Sequence, residues 1–221
     1  MALALSSDVA QADWIVRKLR SDYTVGMLVP PVFESYARLL HAIVVDGLNG
    51  RVVKRWRDIA VEHGRVVHAA VQFSRISSSN ALAPRPGSLP ADDARALVEC
   101  IRRFSTKRCW FGFWEGYGFF DDGEEIADGL VVRGVLQRTY LLYSGRIDDA
   151  LAFNHWPLNQ TPNLWWPSDH QWCVATEVDL DSTYVGGPAA LIDSLLECPS
   201  LESLRASEND SITISSDEVN G

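Results

Sequence analysis

Cysteine is scarce in this chain, and it is scattered. Cys100, Cys109, Cys173 and Cys198 form no CxxC pair and sit in apolar surroundings, which points to reduced core thiols rather than zinc ligands or disulfides. The five histidines, His41, His63, His68, His155 and His170, include no HxH or HExxH spacing, so the usual zinc-hydrolase pattern is missing. No Walker loop, GxGxxG or GxSxG occurs, and neither a phosphate cradle nor a nucleophile elbow is written in the chain. Apolar runs are short of the roughly 20 residues of a membrane span. The start of the sequence lacks a basic, signal-like region, and the expected location is cytoplasmic. Basic residues are also in deficit, 20 against 29 acidic ones. The resulting charge of −9 argues against nucleic acid as a partner and leaves room for a basic protein.

Apolar material is plentiful. A hydrophobic fraction of 47% with 8 tryptophans can fill one sizeable core, and no internal repeat divides it. The sequence predicts one α+β domain over residues 1–206, with a flexible Ser/Pro-rich connection near 74–90 and an acidic, mobile tail over 207–221. Its sheet is expected to be mainly antiparallel, with strands near Cys109, Tyr140 and Trp172 and several helices as cover.

Helices are expected at Ser7–Arg20, after Pro31, around Trp56 to Gly64, after Pro90 and after Pro188. The Pro31 helix rests on Phe33, Tyr36, Ala37 and Leu40, which fit the i, i+3, i+4, i+7 rule. The Pro90 helix has Asp92 and Asp93 at its positive end and a stripe of Ala94, Leu97, Val98, Ile101 and Phe104. Between Ile43 and Val53, Asp46-Gly47 and Asn49-Gly50 signal a connection or short hairpin. Strands are expected at Cys109 to Trp114 and within Val131 to Tyr143, and an acidic segment over 121–129 is expected to be exposed.

The densest stretch runs from Asn163 to Gly187. Trp165, Trp166 and Trp172 surround a Pro167-Ser168-Asp169 turn, and from Trp172 to Asp181 the residues alternate, with Glu177, Asp179 and Asp181 on one side. A turn on Gly186-Gly187 then leads to the last helix. Parallel carboxylates on a straight strand suit a polar sheet face better than a cation site. Asp169 and His170 beside Cys173 suggest a thiol hydrolase, but sequence neighbours do not by themselves place a base against a sulfur. The aromatics of two loop-flanked segments, Trp114 and Tyr117 with Trp165 and Trp166, joined by Glu115, Asp169 and Glu177, make a candidate aromatic and acidic binding surface.

Several blocks carry a family likeness: Val29-Pro-Pro-Val-Phe-Glu-Ser-Tyr-Ala-Arg-Leu-Leu-His41, Arg55-Trp-Arg-Asp-Ile-Ala with Gly64-Arg65 and His68, Cys109-Trp-Phe-Gly-Phe-Trp-Glu-Gly-Tyr-Gly118, Asn163-Leu-Trp-Trp-Pro to Gly187, and Ser216-Asp-Glu-Val-Asn220. Together they resemble a conserved actinobacterial family without an assigned activity. That resemblance implies a bacterial cytoplasmic origin and one continuous domain, and it implies no cofactor. Val29-Pro-Pro-Val-Phe-Glu-Ser-Tyr is also similar to the SUKH (Smi1/Knr4) group, whose members include immunity proteins that bind toxins. The leading expectation is a non-enzymatic interaction protein with no metal and no cofactor. Its rivals are a hydrolase or small-molecule-binding enzyme using Glu115, Asp169, His170 and Glu177, and an acidic inhibitor of a basic protein.

Overall fold

Segments whose side chains point alternately to two apolar layers build the body of the protein. The computed structural model describes residues 3–47, 50–77, 82–117, 131–133, 138–154 and 158–221. Nine strands form the main sheet: β1 (Ala4–Leu5), β2 (Ser35–Leu40), β5 (Cys109–Trp114), β6 (Val131–Arg133), β7 (Thr139–Gly145), β8 (Leu164–Pro167), β9 (Cys173–Ala175), β10 (Ser182–Gly187) and β11 (Ser203–Ala206). Their order is β1-β7-β5-β8-β9-β10-β2-β11, with β6 also on β7, and these pairings all run antiparallel. The expected hairpin forms separately from β3 (Ile43–Gly47) and β4 (Gly50–Lys54).

Both faces of the central strands are buried. Phe111, Phe113, Trp165, Val174 and Val185 pack against α4 (Ala91–Arg102) and α5 (Ala189–Leu196) through Leu97, Val98, Ile101, Leu191 and Leu195. The next residue along each strand points the other way. Trp110, Leu164, Trp166, Cys173 and Tyr184 lie under Ile15 of α1 (Asp13–Val16) and the 3-10 turn from Val25 to Met27 with Leu28 and Val29. A third cluster joins Leu40 and Ile43 to Trp56 and Ile59 of α2 (Trp56–Glu62) and to Phe73 and Ile76 of α3 (Phe73–Ile76). Gly64 ends α2 with φ +62°, as its position after the helix predicts.

Five expectations are corrected. Residues after Pro31 form β2, not a helix: Tyr36 and Ala37 face opposite layers, and hydrogen bonding to β10 and β11 outweighs a spacing that suits either element. The helical form of the SUKH-like segment is therefore absent. The long strand from Trp172 stops at Ala175, so Glu177, Asp179 and Asp181 make no row. Gly186 and Gly187 belong to β10 rather than a turn, paired with Tyr36 and Ser35 of β2, and glycine is needed at 186 because a Cβ would lie 2.5 Å from Phe33 Cδ2 and 2.8 Å from Val29 Cγ1. The first helix shrinks to a 3-10 turn and α1.

The fifth correction concerns the acidic tail, which is packed. Asp217 and Asn220 are buried, and Asp217 accepts hydrogen bonds from His68 Nε2 at 2.8 Å and from the Gln72 amide at 3.1 Å. Arg65 donates to the Asn220 carbonyl at 2.8 Å, and Asn220 Nδ2 donates to the Val66 carbonyl at 2.9 Å. The connection after Ser74 is likewise anchored where it is described, with Ser88 and Leu89 almost fully buried. The 121–129 segment and Trp156 lie outside the described residues. Among the described residues no helix is long and apolar enough to cross a membrane.

Candidate functional site

Trp114 closes β5 at the point where the chain leaves the sheet, which leaves its indole half-buried while Phe111 and Phe113 stay in the core. Glu115 to Tyr117 then form a tight 3-10 turn, bringing the Tyr117 ring edge-on to Trp114 at 5.3 Å. Gly116 has no room for a side chain there, since a Cβ would collide with the Trp114 ring.

Asn163 and Gly87 hold this corner from beneath. The buried Asn163 accepts from the Trp114 amide at 2.9 Å, and its Nδ2 donates to the Tyr117 hydroxyl at 2.9 Å and to the Thr176 carbonyl at 3.0 Å. The Gly87 carbonyl accepts from Tyr117 Oη and Gln160 Nε2, both at 2.9 Å. Gly87 itself has φ +75°, and a Cβ would sit 2.8 Å from the Val178 carbonyl. Burial pushes the Tyr117 phenol above its ordinary range. Tyr117 is thus a neutral donor that ties the 82–90 segment to the sheet.

Arg138, just before β7, stacks over the Trp114 ring at 5.2 Å. Its Nε pairs with Glu177 and one terminal nitrogen with Asp179. The two acids differ in setting: the Glu177 side chain is 2% exposed and that of Asp179 is 78% exposed. Glu177 also accepts the Asp179 amide at 2.7 Å. Glu177 is therefore a buried, paired carboxylate that fixes Arg138, while Asp179 and the exposed Glu115 form the outer rim.

Trp165 and Trp166 do not join this corner. Both are 1% exposed, because alternation along β8 sends one to each buried layer. Trp165 meets Trp172 edge-on at 6.5 Å, and neither indole N–H has a hydrogen-bond partner among the described residues. Their place in the expected surface is corrected to the core. Asp169 is exposed, but it lies in the turn after β8, at the opposite end of that strand from Asn163 and Trp114.

This separation also dismantles the hydrolase pocket. His170, with φ +56°, stacks on Trp14 at 4.2 Å, far along the strand from Glu115 and Glu177. Cys173 faces the N-terminal layer with no exposure, and burial raises its thiol pKa strongly. Burial pushes Cys109 up to about 12. Neither thiol is an available nucleophile at neutral pH.

Arg138, Asp179, Asn163 and Gly87 complete the corner without having been marked as binding residues in the sequence. Only Asp179, within the carboxylate run, and Asn163, at the start of the dense stretch, carried a local signal. Arg138 lies 39 residues before Glu177, and its role depends on β7 pairing with β5. Compared with family models, curated proteins and solved structures, the chain matches none.

Proposed function

We propose that the protein is a non-enzymatic interaction domain that holds a basic segment of a partner protein against the corner formed by Trp114, Glu115, Tyr117, Arg138, Glu177 and Asp179. The observation that carries this reading is a half-buried indole, braced by Arg138, with the exposed carboxylates of Glu115 and Asp179 at its margin. A rigid aromatic anchor within a charged rim is the arrangement that concentrates binding energy at interfaces. The net charge of −9 favours approach of a basic partner over long range.

Isothermal titration with a Lys/Arg-rich peptide tests the proposal. Binding should weaken with added salt, and Trp114→Ala or Asp179→Asn should reduce affinity roughly tenfold. Asp169→Asn, at the far end of β8, should leave it unchanged. Equal losses in W114A and D169N, or binding that ignores ionic strength, would remove this corner as the docking surface.

A further inference from the structure

A cavity of about 410 Å³ lies away from the Trp114 corner, between the β3–β4 hairpin and the chain entering α4. Val44 and Arg51 line it from the hairpin, Arg85, Ser88 and Leu89 from the preceding segment, and Asn154 from beyond β7. A neighbouring hollow of about 290 Å³ shares Ala42, Val44, Arg51 and Pro90 and continues to Arg55, so both open onto Arg51. The volume falls within the roughly 300–1,000 Å³ of small-molecule sites.

In an acidic protein this cleft gathers arginine. Arg55 is neutralised by the buried Asp93 at 2.9 Å, and among the described residues Arg51 pairs only with the exposed Asp92 at 3.3 Å, which it shares with Arg95. Arg85 has no carboxylate partner among the described residues. Its place is nevertheless fixed: His41 Nδ1 donates to the Arg85 carbonyl at 2.9 Å, and the guanidinium spends one donor on the Asn159 carbonyl at 2.9 Å. A guanidinium held in place loses little freedom when it meets an anion. Asn154 supplies an independent sign, because its Nδ2 is buried without a hydrogen-bond partner among the described residues. A buried donor of this kind is costly unless something completes it.

We infer that the cleft binds a small organic anion whose charged oxygens engage Arg85 and Arg51, whose further acceptor meets Asn154 Nδ2, and whose apolar part rests on Val44, Leu89 and Pro90. The inference is independent of the docking corner, which shares none of these residues. Guanidinium forks suit planar carboxylates and phosphate monoesters alike, and the probes separate the two.

The full chain is titrated by calorimetry with benzoate, phenyl phosphate, inorganic phosphate and the uncharged benzamide. At least one aromatic anion should bind with a Kd of roughly 1 mM or tighter, with benzamide roughly tenfold weaker or worse. Tighter phenyl phosphate would identify a phosphate monoester, and tighter benzoate a carboxylate. Arg85→Gln should weaken the preferred anion roughly tenfold, while Trp114→Ala leaves it unchanged. Should R85Q fail to fold cooperatively, Arg51→Gln, at an exposed side chain, should show a loss of the same sign. No saturable binding below about 10 mM, benzamide binding as well as the anions, or unchanged affinity in a folded arginine variant would overturn the inference.

Discussion

His41 shows how a single buried polar residue is made acceptable. It has no exposure, its Nδ1 reaches the Arg85 carbonyl, and its Nε2 accepts from the Thr183 hydroxyl at 2.9 Å, which in turn contacts Thr176 at 2.7 Å. A neutral imidazole satisfies both ring nitrogens, and burial, with the nearby Arg38 charge, lowers its pKa from 6.5 to about 4. Below pH 6.5 the unfolded chain takes up a proton that the folded one refuses. The stabilisation is therefore complete above 6.5 and is lost as pH falls through 4. A gap of 6.5 minus about 4 corresponds to on the order of 3 kcal/mol. Urea unfolding at pH 7 and pH 4 should show a smaller difference for His41→Gln than for the parent protein. Other groups titrate in both proteins, so the comparison isolates His41; equal pH differences would show that the imidazole takes up its proton without loss of the fold. Nothing local in the sequence distinguishes His41 from the other histidines, because its partners arrive from residues 85 and 183.

Among the elements, α4, the β3–β4 hairpin and the aromatic strand β5 were legible, and β2 was not. The stripe of α4 and the turn signals of the β3–β4 hairpin are read directly from residue spacing, and both form as expected. In β2, by contrast, apolar residues occupy both layers, and Phe33, Tyr36, Ala37 and Leu40 fit a helical spacing by coincidence. Strand pairing decides the matter, and the partners lie in the last quarter of the chain. The proposed corner was legible only in part. Local aromatic density singles out Trp114, Glu115 and Tyr117, which lie together at the end of β5, but Trp165 and Trp166 share that density and are core. Gly186 tests the packing argument. Gly186→Ala should destabilise by about 1–3 kcal/mol, because its methyl group meets Phe33 and Val29. Gly64→Ala has open space and only its φ of +62° to contend with, and should cost about 1 kcal/mol. Denaturation midpoints in the reverse order would show that the Val29–Phe33 segment yields easily.

Across the whole molecule, the carboxy-terminal segment fastens the satellite layer of α2 and α3. Composition alone suggested a solvated tail, since Ser, Asp, Glu and Asn dominate it. What composition does not reveal is that Asp217 and Asn220 face inward onto His68, Gln72, Arg65 and Val66. Hydrogen bonding holds the Asp217 carboxyl well below the usual carboxylate range despite an opposing effect of burial. Deleting residues 217–221 should remove on the order of 3 kcal/mol and lower Tm by roughly 10 °C, read by differential scanning calorimetry. An unchanged Tm would mean that water replaces these contacts without loss. The core faces of the sheet should remain intact in either case, because their packing involves the clusters around Trp165 and Trp166.

The position of β2 also sets a timetable for synthesis. Residues 35–40 leave the ribosome long before both of their neighbours in the sheet, residues 182–187 and 203–206. Until residues 182–206 have emerged, a strand meant for the interior has two unpaired edges and two oily surfaces. The sheet around β2 therefore cannot close before residues 182–206 are available, whatever the rest of the chain has already formed.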